Sequence, residues 1–415
     1  MTFRAIFTAV IIATALLVVV LLVNRQRPVQ HTQQPTAALI RASGKCAECH
    51  EKETGAIVHE YSTSGHAKAN ITCLDCHQPQ GNQTPVEHRG FTIAENLTAL
   101  NCTQCHAEQY GQFLRSRHAA PAWAAVAGSE DFTPEQIEYA ETYHPGTVKR
   151  PHNKLALLEG PAAIQSGCAS CHDVGKPNPD GSIGTCTACH ARHAASVELA
   201  RLPQTCGQCH MGPDHSQIEI YNESKHGVLF NQQRPHMNMT AKPGTLTTND
   251  MPVPTCATCH MSGLNNLKAT HDTTERLSFF LYAPVSQKRS HYVRGQANMK
   301  EVCNQCHTQS HTDKFYAEAE AVVYETNEKI GKAQALMSDL KEEGLLDHPP
   351  FSQEIDFAYF DMWHYYGRTA KHGAFMGGAD FVQWHGNYEL LHYQVKLDKY
   401  AKELRKAKAH EQASE

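Results

Sequence analysis

The stretch Cys186-Thr187-Ala188-Cys189-His190-Ala191-Arg192-His193, followed by Cys206-Gly207-Gln208-Cys209-His210-Met211-Gly212-Pro213-Asp214-His215, decides how the chain is read. Each half opens with two cysteines three apart and a histidine directly after the second. The same arrangement occurs at Cys46/Cys49/His50, Cys73/Cys76/His77, Cys102/Cys105/His106, Cys168/Cys171/His172, Cys256/Cys259/His260 and Cys303/Cys306/His307. These eight C-x-x-C-H motifs use all 16 cysteines of the 415-residue chain. No thiol remains for a disulfide framework. Zinc ribbons or thioredoxin-like dithiols explain a C-x-x-C pair but not a histidine after every one of them.

The spacing has a chemical reason. Two thiols separated by two residues can each bond one of the two vinyl groups of a haem, while the next residue is placed to put its imidazole on the iron. The motifs therefore predict eight covalently bound haem c groups, with His50, His77, His106, His172, His190, His210, His260 and His307 as proximal ligands. Haems also account for a lean composition, 41% hydrophobic and 8% aromatic, because porphyrins supply apolar interior that side chains do not. A formal net charge of −5, from 37 Lys+Arg against 42 Asp+Glu, excludes a nucleic-acid binder.

Around the motifs the chain reads in four parts. Residues 1–24 contain a run from Ala5 to Val23 in which only Thr8 and Thr14 are not apolar, long enough to cross about 30 Å of hydrocarbon. It is expected to anchor the protein in the membrane, with a cleaved signal segment as the alternative. Residues 25–44 read as a polar tether. Residues 45–312 hold all the motifs on short helices and loops, and since c-type cytochromes are assembled outside the cytoplasm, the expected location is the periplasmic, outer face of the cytoplasmic membrane. Residues 313–415 change texture: Phe315, Ala319, Val322, Val323, Ile330, Ala333, Leu336, Met337 and Leu340 recur at helical steps. Two further helices are expected near 353–371 and 382–407, N-capped at Ser352 and Asp380. The fold class is thus mainly α, a multihaem c-type cytochrome with a C-terminal antiparallel helical bundle that serves for oligomerisation.

One internal repeat stands out. Tyr61-x-x-Ser64-x-His66 and Tyr221-x-x-Ser224-x-His226 each follow a motif histidine at equal distance, and Phe113-x-x-Ser116-x-His118 is a shorter version. A histidine recurring at a fixed distance behind a haem motif points to a distal ligand.

The two opening segments, together with Ser224-Lys225-His226-Gly227, Ala257-Thr258-Cys259-His260-Met261 and Thr270-His271, resemble octahaem cytochromes of the hydroxylamine oxidoreductase family over essentially residues 45–400. The resemblance implies a homotrimer through the C-terminal helices and a five-coordinate catalytic haem at Cys168/Cys171/His172. It also places Asp214, His215 and Tyr282 in the catalytic pocket. By repeat and resemblance, the seven closed haems take His66, His88, His118, His193, His226, His271 and His372 as distal ligands, with His144, His152, His311 and His364 as alternates. Family members that oxidise hydroxylamine carry a tyrosine cross-linked to the catalytic haem of a neighbouring subunit. The matching position here is Phe381, with Tyr365, Tyr366 and Tyr388 nearby, which implies a reductase of nitrite or a related small inorganic nitrogen compound. Its electrons are expected from a quinol-linked or cytochrome redox partner. Hydroxylamine or hydrazine oxidation at the same site, and a non-enzymatic electron conduit, are the competing readings.

Overall fold

The computed structural model describes residues 44–414, together with Thr14. The chain divides into two compact units, Met1–Ile71 and Thr72–Glu415.

In the first unit the helices Lys45–Glu53, Gly55–Thr63 and Gly65–Lys68 carry the first motif and His66. Gly55–Thr63 stops at Ser64, whose extended backbone (φ −70, ψ 159) turns the chain and whose Oγ accepts from the Ala67 N–H at 3.0 Å. A serine whose side chain caps the next helix satisfies a donor that the helix start would otherwise leave open.

In the second unit the repeat is built the same way. Helix Gln217–Glu223 ends at Ser224 (φ −68, ψ 159), which accepts from Gly227 N–H at 3.2 Å and opens helix Lys225–Gln233. Tyr221 fixes the bend by donating its hydroxyl to Pro254 O at 2.9 Å. The repeat is therefore a helix–Ser–helix joint that puts a histidine in the first turn of the second helix.

No regular helix in the motif region is longer than Ala99–Leu114, which itself kinks at His106. Among the described residues, strands are confined to two small hairpins. Pro85–His88 pairs antiparallel with Phe91–Ala94 across Arg89 and Gly90, both at positive φ, as a two-residue hairpin requires. Phe279–Phe280 pairs with Gln287–Lys288 and leaves residues 281–286 as a loop.

The C-terminal helices follow the expectation with adjusted ends. Gln309–Glu342 buries Tyr316, Ala319, Val323, Ile330, Ala333 and Leu340, then stops before Gly344 at φ 68. Glu354–Met376 and Ala379–Ser414 each pass through a π-helical turn, Asp361–Gly367 and Gln383–Asn387. The caps fall at Gln353 and Gly378 rather than Ser352 and Asp380: Asp356 accepts from the backbone N–H groups of both Ser352 and Gln353, and Asp380 is already inside the helix, paired with His385 at 2.7 Å. Ile330, Leu340, Ile355, Met362, Leu390 and Leu397 form one apolar cluster joining these helices. Two more clusters lie around Trp123 and Phe230.

The location expected from an anchoring helix is corrected. Among the described residues no helix is long and apolar enough to cross a membrane. Gln309–Glu342 has the length but is amphipathic, with Lys, Glu and Asp along its open face. The spanning segment expected over 1–24 and the tether over 25–44 fall outside the described residues apart from Thr14 and Gly44.

Candidate functional site

Helical turns carry the motifs. Cys73–His77, Ala169–His172, Pro203–Gly207 and Cys256–His260 are such turns. His190, His210 and His307 close theirs by donating backbone N–H to Cys186, Cys206 and Cys303 O at 3.0, 3.0 and 2.9 Å. No disulfide joins any two of the 16 cysteines.

The thiols differ in exposure from motif to motif: Cys49, Cys105, Cys189 and Cys306 are exposed and the other twelve half-buried. Cys49 is exposed, because helix Lys45–Glu53 turns only Ala47 fully inward. Cys105 is exposed as well: the helix breaks at the next residue, His106 (φ −116, ψ 37), so thiol and imidazole do not ride on one continuous turn. Cys171 is half-buried, but its thiol donates to Gln208 O at 3.8 Å, a carbonyl of the sixth motif and not of its own.

The histidines then pair. A metal–imidazole bond is about 2 Å long and the ring centre lies about 1 Å beyond, so two rings facing one metal stand about 6 Å apart. His77 and His193 have ring centroids 6.5 Å apart and nearly parallel planes, His190 and His271 are at 6.4 Å, His226 and His307 at 6.1 Å, and His118 and His210 at 5.8 Å. Four motif histidines thus meet four of the sequence-assigned distal ones. Burial keeps His118 down at about 4 and His210 at about 3, so both are neutral donors suited to a metal. His172 is set differently: its Nδ1–H donates to Ala122 O at 2.6 Å, leaving Nε2 as the lone-pair nitrogen. A π-helical turn, Ile164–Cys168, runs directly into its motif. Thiols in pairs, neutral imidazoles and facing rings fit haem, with the motif cysteines and histidines as its attachment and axial residues.

The remaining assigned histidines lie elsewhere. His66 opens its short helix in the first unit, and His88 ends an exposed strand. His372 is buried, with its ring 5.4 Å from that of Tyr282. Of the alternates, His144 holds Arg115 O at 2.8 Å, His152 pairs with Glu130 at 3.3 Å, His311 stacks on His307 at 4.8 Å and His364 on Phe360 at 4.2 Å.

Asp214, His215 and Tyr282 come together. His215 Nδ1–H donates to Asp214 Oδ2 at 2.6 Å, and its ring lies 5.6 Å from Tyr282 and 6.1 Å from His210. Burial works against the Asp214 charge, yet His215, His364 and Arg368 outweigh it and hold the carboxyl at about 2. Tyr282 sits in the 281–286 loop, and burial raises its phenol above the ordinary value. On His172 burial lowers the proton affinity first, with the His215 charge acting in the same sense and Asp214 against it.

One buried helix, Arg368–Met376, is the platform for all of this. Thr369 Oγ1 donates to Pro213 O at 3.1 Å and meets Ser216 Oγ at 3.1 Å, fixing the Asp214 loop. Arg368 donates to Tyr282 O at 3.2 Å, and Lys371, fully buried, donates to Pro284 O and Ser286 Oγ at 3.2 and 2.7 Å. Asn327 closes the loop by exchanging two hydrogen bonds of 2.8 Å with the Ser286 backbone. Gln217 Nε2 donates to the Tyr282 hydroxyl at 3.3 Å. Sequence reasoning missed Arg368, Lys371, Gln217 and Arg117. The available signal was Arg368 and Lys371 inside a stretch whose other residues are buried, because a cation on the inward face of a helix needs a polar reason to be there.

Phe381 is 7% exposed. Its ring stacks on His385 at 5.1 Å, and its backbone and side chain press on Gly373 and Gly386. The side chain at 381 therefore faces its own subunit. Tyr388, by contrast, is 50% exposed.

Helical turns offering two thiols and an imidazole, with imidazoles facing one another across a metal-sized gap, define a multihaem c-type cytochrome. The family model described as "Seven times multi-haem cytochrome CxxCH" matches residues 69–350, which hold the second to eighth motifs. The chain belongs to this family, as an HAO-like multihaem c-type cytochrome. It is 25% identical over 363 residues to a probable nitrite reductase-hydroxylamine oxidoreductase fusion protein of Kuenenia stuttgartiensis, covering 74% of this chain and 39% of the relative. It is 23% identical over 192 residues to the multiheme cytochrome MtrA of Shewanella baltica (strain OS185), covering 44% of this chain and 50% of that one. The chain thus spans half or less of the length of these curated relatives. Among solved structures, a hypothetical multiheme protein superposes with TM-score 0.75 at 20% identity, over 93% of this chain and 99% of its own. The reducing HAO-like protein complex of Kuenenia stuttgartiensis does so with TM-score 0.68 at 21% identity, over 94% and 90%.

Proposed function

We propose that the protein binds eight haem c groups, one per motif, and reduces nitrite or a related nitrogen oxide to hydroxylamine or ammonium at the fourth, whose proximal residue is His172. The observation that carries this reading is the cluster of Asp214, His215 and Tyr282, all three within electrostatic reach of one another in two loops held by a single platform helix. Bound haems supply electrons one at a time and, at an open position, a seat for a substrate atom. The chain supplies the rest. Every electron taken up by nitrite is accompanied by at least one proton, and the oxygen removed leaves as water. His215 is the residue to deliver those protons at its Nε2, because Nδ1–H is committed to Asp214. Asp214 fixes the tautomer and stabilises the imidazolium before the proton is passed on. The Tyr282 hydroxyl, accepting from Gln217, keeps its own O–H to donate to a substrate oxygen.

The facing pairs His77/His193, His118/His210, His190/His271 and His226/His307 are assigned as axial ligands of electron-relay haems, with His66, His88 and His372 for those remaining. Electrons come from a quinol-linked or cytochrome donor; the reducing HAO-like structural neighbour is itself a complex. Trp384, Tyr388, Leu391 and Val395 are 50–68% exposed at helical spacing, an apolar stripe suited to packing on other copies of the chain, as in a homotrimer. Hydroxylamine oxidation is the second reading, favoured by Tyr388, a phenol exposed on that stripe.

Steady-state assays of the holoprotein separate the two. Nitrite consumption with a reduced low-potential dye supports the reductase. Hydroxylamine oxidation with no nitrite turnover overturns it.

A further inference from the structure

Three arginines gather on two neighbouring rings of the Tyr282 hairpin. The Arg117 guanidinium carbon lies 4.7 Å from the Phe280 ring centre and that of Arg289 lies 5.7 Å from it, while Arg368 stands 5.0 Å over Tyr282. The two rings are 6.3 Å apart. Cations stacked on aromatic faces are held there without using up their N–H donors.

Their donors are underused. Among the described residues neither Arg117 nor Arg289 has a carboxylate within ion-pair distance. Arg289 spends Nε on Phe279 O at 2.9 Å. Arg368 is 7% exposed, and its one carboxylate, Asp214, is 3.9 Å away and already engaged by His215 at 2.6 Å. Its Nε is buried with no hydrogen-bond partner. The acidic groups facing the three are Asp214 and Asp272, so positive charge is in surplus. Gathering like charges in a partly buried place is costly unless an anion shares it.

We propose that Arg117, Arg289 and Arg368 form an anion-recognition wall beside Asp214 and His215, which selects a small inorganic oxyanion such as nitrite over a neutral nitrogen compound. The proposal rests on the nitrite-reducing reading and adds its substrate recognition: guanidinium N–H donors hold the anion's oxygens while the Tyr282 O–H completes the set. A carboxylate of a haem propionate presents the same chemistry from a different source.

Two readouts on the holoprotein distinguish them. Nitrite affinity of the oxidised protein is read by spectral titration, and selectivity as the ratio of kcat/KM for nitrite to that for neutral hydroxylamine in the dye-driven reductive assay. Arg117→Gln is expected to weaken nitrite binding about tenfold, the worth of one charge-assisted hydrogen bond, and to lower the selectivity ratio by a similar factor. Arg117→Lys should recover most of both, and added salt should weaken nitrite binding to the unsubstituted protein. Arg289→Gln repeats the test should Arg117→Gln fail to assemble with haem. Equal losses for nitrite and hydroxylamine overturn the proposal. So does unchanged nitrite affinity with a shifted haem midpoint potential, since the guanidinium then serves a propionate. A protein that binds nitrite with this arginine dependence but does not turn it over refutes the reductase reading and leaves the anion wall standing.

Discussion

Replacing Asp214 by Asn keeps the shape of the site and removes one negative charge. In the native site Asp214 Oδ2 accepts the His215 Nδ1–H at 2.6 Å and lies 3.9 Å from the Arg368 guanidinium, with its carboxyl held at about 2. The amide cannot carry that charge, and in one orientation it offers His215 a donor, reversing the tautomer so that Nδ1 becomes the lone-pair nitrogen, Nε2 keeps its proton, and the imidazolium that should deliver it is no longer stabilised. A hydrogen bond to a charged partner is worth about 1.5–3 kcal/mol, so the loss in kcat is expected to be about 10- to 150-fold on that term. Uncompensated Arg368 charge places the result at the upper end. The assay is dye-driven nitrite reduction at neutral pH, normalised to haem absorbance so that assembly and turnover are read separately. Full haem content with kcat within about twofold of the unsubstituted protein, less than the weakest such bond is worth, would refute the role given to this pair.

Further outcomes follow from other parts of the molecule. Ser224→Ala removes the cap on Gly227 N–H and a 2.7 Å bond to Tyr221 O; about 1 kcal/mol of stability should be lost, read by thermal unfolding, with the His226/His307 haem the first to change its spectrum. Glu141→Gln loosens the 146–149 turn, whose Val148 and Lys149 N–H groups donate to Glu141 Oε1 at 2.7 and 2.8 Å. Burial opposes the Glu141 charge, but these backbone donors outweigh it and hold its pKa low. Its contribution is therefore present above the unfolded carboxyl value of about 4.3 and lost as pH falls through the lower folded value; the substitution should flatten acid unfolding there by about 1 kcal/mol. Leu391→Glu with Val395→Glu puts two charges on a stripe 59% and 68% exposed, and sedimentation should show the assembly dissociating while haem content is kept.

Much of the fold and site was legible because it is written in local spacing. The C-x-x-C-H turns, the Tyr-x-x-Ser-x-His joint and the helical periodicity after Asp313 each depend on residues a few positions apart, and Ser64 and Ser224 cap their helices with the same backbone angles. What spacing does not carry is the encounter of distant segments. That His77 meets His193, that the Cys171 thiol turns to Gln208, or that Arg117 approaches Phe280, depends on how loops of irregular length close around groups that are not amino acids. Resemblance brought Asp214, His215 and Tyr282 to one place, but Arg368–Met376, which holds both of their loops, was expected to supply only an oligomerisation helix and the distal ligand His372. Phe381 shows the limit most plainly. Its position was matched to a residue that reaches a neighbouring subunit, whereas close packing on Gly373 and Gly386 turns it inward.

The central claim is that one haem, at Cys168/Cys171/His172, is open while the others are closed by paired histidines. Electron paramagnetic resonance of the oxidised holoprotein reads this directly, because a closed bis-histidine iron is low-spin and an open one high-spin. A single high-spin ferric signal that shifts on adding nitrite, beside low-spin signals for the rest, is expected. Low-spin signals alone, unchanged by nitrite, would contradict the claim and leave the protein an electron conduit.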